Sequence, residues 1–194
     1  HYVENNQQLN NDDLLLVDAG CEYEMYAADI TRTFPVSGKF SDEQLAIYKV
    51  VLDAMNAAID MVKPGNHIMQ PQEISEKVIT EGLVKLGLLD GDPEELHKSG
   101  AYKEFYMHKI GHWLGLDVHD AGDYVEGEEY MKFKPGMITT IEPGIYISSS
   151  MDVDDKWKGI GIRIEDDILV TKEGNENLTK KVPSDPEEIE SLMS

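Results

Sequence analysis

The stretch from Leu14 to Phe34 constrains the fold most, because it brings two carboxylates next to apolar strands. It reads LLLVDAGCEYEMYAADITRTF, with an apolar run that ends at Asp18 and a β-branched and aromatic run that begins at Asp29. Both runs have strand composition, and a short segment containing a glycine joins them. An antiparallel hairpin would place Asp18 opposite Asp29. Because like charges disfavour each other's ionised form, this pairing predicts a bound cation.

A second pair of carboxylates repeats this arrangement later in the chain. The strand predicted at 137–141 ends at Glu142, and the strand predicted at 159–165 ends at Glu165. The first hairpin alone would favour a solvated turn of an acidic protein, but two such hairpins predict four acids around one centre. Two divalent cations would neutralise four carboxylates. The sequence therefore predicts a two-metal centre that activates water and stabilises a developing oxyanion.

Three histidines, His108, His112 and His119, lie between the two acid pairs in FYMHKIGHWLGLDVHDAG. His108 and His112 are four residues apart, as in the HExxH zinc motif, but Lys109 replaces the essential glutamate and Gly111 weakens a helix. That motif is therefore absent, and the spacing alone leaves open which histidine binds. Oxygen-rich ligation with at most one imidazole favours a hard ion such as Mn²⁺ over structural zinc.

Arg163 precedes Glu165 by two residues, so both side chains would point to one face of a strand. A guanidinium there would orient and partly neutralise a ligand carboxylate. The alternative for Arg163 alone is a surface cation, which its position inside the glycine–isoleucine strand disfavours.

Length, charge and cysteine content narrow the class of protein. The 194 residues are enough for one domain, and 17 basic against 38 acidic residues give a formal net charge of −21. This charge argues against nucleic acid and anionic membranes as partners, and no apolar run is long enough to span a membrane. The single cysteine, Cys21, excludes an internal disulfide, fits the reducing cytoplasm and is expected to be buried beside the hairpin turn. Because the first residue is His1, we expect a fragment or processed product whose own N-terminus is not seen.

Two amphipathic helices are predicted between the acid pairs. Ser41 and Gln44 form a capping-box pattern at the start of the first helix, and Pro64-Gly65 ends it. The second is predicted from about 72 to 86, and a short terminal helix at 185–193. The apolar stripes of these helices predict core packing, so the chain is of the α+β class.

Five short motifs occur in an order that resembles a known family. They are VDAG with Asp18, ADITRTF with Asp29, MHKIGHWLGLDVHD with His112, IEPGIY with Glu142 and GIRIEDD with Glu165. Together they resemble the catalytic domain of aminopeptidase P (Xaa-Pro aminopeptidase), a pita-bread metallopeptidase related to prolidase, creatinase and methionine aminopeptidase. The similarity covers nearly the whole chain. It implies a pita-bread catalytic domain over 1–194 with pseudo-twofold halves.

The resemblance also implies a set of site residues. Two divalent ions, expected to be Mn²⁺, would be bound by the residues of the five motifs: Asp18, Asp29, His112, Glu142 and Glu165. Glu142 would also be the general base that takes a proton from a water held between the ions. The remaining catalytic and substrate-binding residues would be His108, His119 and Arg163, with His1 at the mouth of the pocket on the proline side of the substrate.

The chain also departs from the family pattern. Family members carry an N-terminal domain and the opening helices of the first half, and neither occurs in residues 1–194. We therefore expect an incomplete domain. The implied activity is hydrolysis of the bond between an N-terminal residue and a following proline in a peptide, by a protein that is a homo-oligomer at full length. Prolidase, which requires a dipeptide, is the alternative, and a metal-free pita-bread binding module is a more distant one.

Overall fold

The first hairpin is formed by the two longest strands of the computed structural model, which describes residues 4–194. Strand β1 (Leu14–Tyr23) pairs antiparallel with β2 (Tyr26–Pro35). The connection is a two-residue turn, Glu24-Met25, in which both residues have positive φ angles of 49° and 71°. Two positive φ angles are the geometry of a type I′ turn, whose twist matches that of the flanking strands.

The hairpin register differs from the sequence prediction by two residues. Asp18 pairs with Thr31 and Asp29 pairs with Gly20, so the two carboxylates lie diagonally and not directly opposite. The prediction was wrong because the connection is a tight turn, and the segment thought to be a loop is mostly strand. Since the shift is an even number of residues, both acids still lie on the same face. Gly20 lies inside β1, where a Cβ would collide with the carbonyl oxygen of Ala28.

Two helices cover the core side of the sheets. Helix α1 (Asp42–Met61) begins with the predicted capping box: Ser41 Oγ accepts the N–H of Gln44 at 3.1 Å, and Gln44 Oε1 accepts the N–H of Ser41 at 2.9 Å. Helix α2 (Gln70–Lys85) packs against α1 and begins two residues before the predicted start. The two helices approach closely where Gly82 of α2 faces Val50 of α1, because a Cβ at Gly82 would collide with the Val50 side chain.

The remaining elements are short. They are α3 (Pro93–Ser99), β3 (Val125–Glu126), β4 (Glu129–Tyr130), β5 (Ile138–Ile141), β6 (Gly144–Tyr146), β7 (Gly161–Arg163), β8 (Asp166–Val170), β9 (Asn175–Asn177) and α4 (Pro186–Met193). Isoleucines of β5 to β8 join the helices in one hydrophobic core.

Cys21 is exposed, which contradicts the expected burial. Within residues 4–194, none of the helices combines the length and apolar character needed to cross a membrane.

The second acid pair lies where a long hairpin is interrupted. β5 pairs with β8 and β6 pairs with β7, and between these ladders Glu142-Pro143 on one arm faces Ile164-Glu165 on the other. The strand predicted at 159–165 therefore ends at Arg163. Glu165 instead forms an isolated bridge with Thr31 of β2, which joins the second hairpin to the first.

Candidate metal centre

The two hairpins enclose a cavity of about 1150 Å³. Its wall includes every site residue predicted from the sequence that lies in the described part of the chain: Asp18, Asp29, His108, His112, His119, Glu142, Arg163 and Glu165. His1 lies outside the described residues, so its predicted position at the pocket mouth stays a prediction. The fold thus brings together residues separated by up to 147 positions in the sequence.

Potential ligand atoms form three overlapping groups, in each of which the atoms lie within 4.8 Å of one another. The groups are Asp29–His112–His119, His112–Glu142–Glu165 and Asp18–Asp29–Glu165. Asp29, His112 and Glu165 each belong to two groups. Carboxylate oxygens with one or two imidazoles are a donor set that suits hard or borderline divalent cations. His119 belongs to this set, although the sequence analysis assigned it to the substrate.

His112 is held with one ring nitrogen facing the acids. Its Nδ1 donates to the Trp113 carbonyl oxygen at 3.0 Å, because a carbonyl can only accept. Nε2 then lies 3.4 Å from Asp29 Oδ2 and 3.6 Å from Glu142 Oε1. A second hydrogen bond, from the His112 N–H to Thr140 Oγ1, fixes the backbone. Anchoring of one imidazole nitrogen by a carbonyl is the usual arrangement of a metal-ligating histidine.

Arg163 contacts Asp18 and not Glu165, the residue beside which the sequence analysis placed it. Its Nη2 donates to Asp18 Oδ2 at 2.7 Å, and its Nη1 donates to the Tyr146 hydroxyl at 3.3 Å. The strand β7 ends at Arg163, so Glu165 does not continue it on the same face, and Asp18 reaches the guanidinium from β1 of the first hairpin. Arg163 therefore orients a carboxylate of the candidate site, as predicted, but a different one.

His108 has both ring nitrogens engaged within the chain. Nδ1 donates to the Lys109 carbonyl oxygen at 2.8 Å, so Nε2 accepts from the Tyr146 hydroxyl, also at 2.8 Å. Burial lowers the pKa of His108, which favours this neutral form. His119, by contrast, is exposed, and its ring centroid lies 4.2 Å from that of His112.

Comparisons with known proteins place the chain in a family. The model of metallopeptidase family M24 matches residues 1–172. The chain belongs to metallopeptidase family M24. Xaa-Pro aminopeptidases of Haemophilus influenzae and Escherichia coli are 53% and 49% identical to it, and the match covers the whole chain but only 45% and 44% of their lengths.

Solved structures of the family share the fold. Aminopeptidase PepP of Pseudomonas aeruginosa superimposes with a TM-score of 0.98 at 55% identity, and proline aminopeptidase P II of Yersinia pestis with 0.96 at 51%. Each match covers all of this chain and 44% of the other. The pita-bread fold predicted from the sequence is confirmed, and the chain spans less than half the length of these relatives.

The charges of this M24 chain fit a divalent cation. Burial raises the pKa of Glu142 to about 7, and burial together with the charge of Glu142 raises the pKa of Glu165 to about 8. Burial disfavours protonation of His112, but its hydrogen bond to Asp29 and the nearby carboxylates outweigh this and raise its pKa to about 9. The neighbouring carboxylates disfavour each other's ionised form, and a bound cation would neutralise their charge.

These raised pKa values predict that Mn²⁺ stabilises the protein more as the pH rises. The pKa values of Glu142 and Glu165 exceed their ordinary value of 4.5, so the folded state binds more protons than the unfolded one between that pH and about 8. The free energy of unfolding should therefore fall as pH rises through this range in the presence of a chelator. A cation replaces those protons, so the increase in Tm on replacing chelator by Mn²⁺ should grow with pH. An increase that shrinks with pH would contradict the prediction.

Four buried residues beside the site were missed by the sequence analysis. Arg32 donates to the side chain of Asp166 at 2.7 Å, and Thr31 lies 2.6 Å from Glu165. Asp167 Oδ2 accepts the N–H of Asp29 at 3.2 Å, and burial raises the pKa of Asp167 to about 7. The available signal was a charged residue inside each strand, ITRTF and EDDILV, because buried charges of opposite sign are normally paired.

Proposed function

We propose that the complete protein hydrolyses the bond between an N-terminal residue and a following proline, and that residues 1–194 belong to its catalytic domain. The observation that carries the proposal is the overlap of three groups of potential ligands, two with carboxylates and imidazoles and one with carboxylates alone, in a family M24 fold. Its relatives at 49–53% identity are named Xaa-Pro aminopeptidases, which supports this specificity within the family.

We infer that two divalent ions, best fitted by Mn²⁺, are held by Asp18, Asp29, His112, Glu142 and Glu165. The membership of Asp29, His112 and Glu165 in two groups each supports two neighbouring positions, since one ion would leave part of the donor set unused. The predominance of oxygen donors supports a hard ion. When bound, such ions lower the pKa of a water molecule and polarise the scissile carbonyl.

Glu142 is the proposed general base. A pKa of about 7 lets this carboxylate take a proton at neutral pH and release it again. The attack of water needs the first transfer, and the departure of the proline nitrogen needs the second. The attacking water gives its proton to Glu142 as the new C–O bond forms. The proton then passes to the proline nitrogen, which becomes basic as the carbonyl turns tetrahedral, and the C–N bond breaks.

The other polar side chains have supporting roles in the proposal. His119, exposed on the cavity wall beside His112, donates a hydrogen bond to the oxygen of the tetrahedral intermediate. His108 shapes the substrate pocket through its hydrogen bond with Tyr146. Arg163 orients Asp18 and opposes the rise in its pKa that burial causes. The contact of His1 with the proline side of the substrate remains a prediction.

The charge of the cavity wall supports an aminopeptidase over a prolidase. A dipeptidase must neutralise the free carboxylate that follows the proline. Among the described residues of the wall, the lysine and arginine side chains are those of Lys109 and Arg163. Arg163 is paired with Asp18, and Lys109 Nζ lies 5.6 Å from the centre of the Tyr124 ring. A peptide that continues beyond the proline has no carboxylate at that position.

Peptide length separates the two enzymes experimentally. The complete protein with Mn²⁺ should cleave Xaa-Pro-Yaa tripeptides and longer peptides with a higher kcat/KM than Xaa-Pro dipeptides, and Xaa-Ala-Yaa peptides serve as the control for proline. Activity confined to dipeptides would replace this proposal by prolidase. Binding of Xaa-Pro peptides without hydrolysis at saturating Mn²⁺ would instead favour a binding module. A peptide partner, a homo-oligomeric state and a cytoplasmic location are proposed along with the activity.

A further inference from the structure

Thr31 connects two charged residues of the candidate site. Its side chain is fully buried, and Oγ1 lies 2.6 Å from Glu165 Oε2 and 3.4 Å from Arg163 Nε. The hydroxyl therefore lies between a carboxylate and a guanidinium, at the point where β2 meets the second hairpin.

The direction of both hydrogen bonds follows from the chemistry of the partners. A guanidinium has only donors, so the Thr31 oxygen accepts from Arg163. The single hydroxyl hydrogen is then available to Glu165, whose ionised carboxylate has only acceptors. Arg163 thus polarises the hydroxyl that donates to Glu165, and a short hydrogen bond to a charged acceptor is among the stronger kinds.

The backbone of Thr31 restrains Glu165 as well. The Thr31 carbonyl oxygen accepts the N–H of Glu165 at 3.0 Å and a hydrogen of Arg32 Nη1 at 2.8 Å. Arg32 Nη1 also donates to the Glu165 carbonyl oxygen at 2.6 Å. Both ends of the Glu165 peptide backbone are therefore attached to β2, the strand that carries Asp29. With the backbone fixed, the hydroxyl decides which way the carboxylate turns.

We propose that Thr31 is a positioning residue of the metal centre, whose hydroxyl holds Glu165 in the orientation that binds a divalent cation. The inference rests on the proposed function, because it takes Glu165 as a ligand. Hydrogen bonds to metal-ligating carboxylates typically contribute a 10–100-fold factor to metal affinity, so an effect of about this size is expected. A purely structural role would leave the affinity unchanged.

Thr33 provides a matched control on the same strand. It lies two residues further along β2, on the same face, and is equally buried. Its hydroxyl also makes two hydrogen bonds, donating to the Arg163 carbonyl oxygen at 2.9 Å and accepting the Arg163 N–H at 3.2 Å. Both partners are backbone groups. Thr33→Val therefore removes as many buried hydrogen bonds as Thr31→Val does, without touching a carboxylate of the site.

The experiment measures Mn²⁺ binding by calorimetry on the chelator-treated complete protein and three variants. Thr31→Val should weaken Mn²⁺ binding about 10–100-fold. Thr33→Val should leave it close to the parent value, although both valine variants should lower Tm similarly in chelator. Thr31→Ser, which keeps the hydroxyl and removes only a methyl group, should restore most of the affinity.

Three outcomes would overturn the proposal. Equal weakening of Mn²⁺ binding in Thr31→Val and Thr33→Val would show general loosening of β2, and no weakening in Thr31→Val would show that the hydroxyl does not position Glu165. If the parent protein binds Mn²⁺ and cleaves Xaa-Pro peptides, either of these results would overturn the role of Thr31 but not the proposed function. A parent protein that binds no divalent cation would overturn both.

Discussion

Replacement of Glu142 by glutamine is expected to lower kcat by about 10²–10⁴-fold, the range typical for loss of a general base. Glutamine keeps the size of the side chain and one acceptor oxygen but cannot take a proton. Its contacts with Thr140 Oγ1, at 3.4 Å, and with His112 Nε2 are compatible with an amide oxygen. The loss should therefore fall on kcat much more than on KM.

Because Glu142 is also a proposed ligand, this comparison must be made at saturating Mn²⁺. Glu173→Gln makes the same chemical change on an exposed side chain outside the cavity, and kcat should be that of the parent. If Glu142→Gln retained the parent kcat under these conditions, the proton would have to leave by another route. An increase in KM alone would assign Glu142 to substrate binding.

The four acids on the cavity wall could be predicted because each lies beside a recognisable local pattern. Asp18 and Asp29 follow and precede strand-forming runs, and Glu142 and Glu165 repeat this in the second hairpin. Such patterns depend on neighbouring residues, which the sequence displays directly. The position of His112 among the acids came from the resemblance to a family, because the spacing did not distinguish it from His108.

The register was missed because the tight turn at Glu24-Met25 was not recognised, and the buried supports could not be predicted because they depend on contacts between distant segments. Thr31 and Glu165 are 134 residues apart, and so are Arg32 and Asp166. The charge of Arg32 within ITRTF indicates a paired residue, but it does not show which residue is the partner or that both faces of the strand are buried. The prediction that Arg163 lies beside Glu165 was wrong for the same reason, because Asp18 reaches the guanidinium from another strand, 145 residues away in the sequence.

The second large effect is expected in the free energy of unfolding, from replacement of Arg32. All three nitrogens of its guanidinium donate within the protein: Nε to the Pro183 carbonyl oxygen, Nη1 to the Thr31 and Glu165 carbonyl oxygens, and Nη2 to Asp166 Oδ1 and the Val182 carbonyl oxygen. The side chains of Arg32 and Asp166 are 3% and 2% exposed. This one residue joins β2, the start of β8 and the segment before α4.

Arg32→Met should therefore lower the free energy of unfolding by about 3–5 kcal/mol, because it leaves a buried carboxylate without its cation. Asp166 would keep its hydrogen bonds from Asn177 and Thr179, at 2.8 and 2.7 Å, but these neutral groups carry no compensating charge. Adding Asp166→Asn to Arg32→Met removes the unpaired charge, so denaturant unfolding of the double variant should show less than the sum of the two single losses.

Burial, and not the ion-pair distance, is what makes this effect large. Lys98 and Glu94 form a pair of nearly the same length, 2.8 Å, but their side chains are 60% and 77% exposed. Water screens that pair and solvates whichever partner remains, so Lys98→Met should leave the unfolding midpoint unchanged within error. If Arg32→Met were as mild as Lys98→Met, water would have to reach Asp166 in the folded protein.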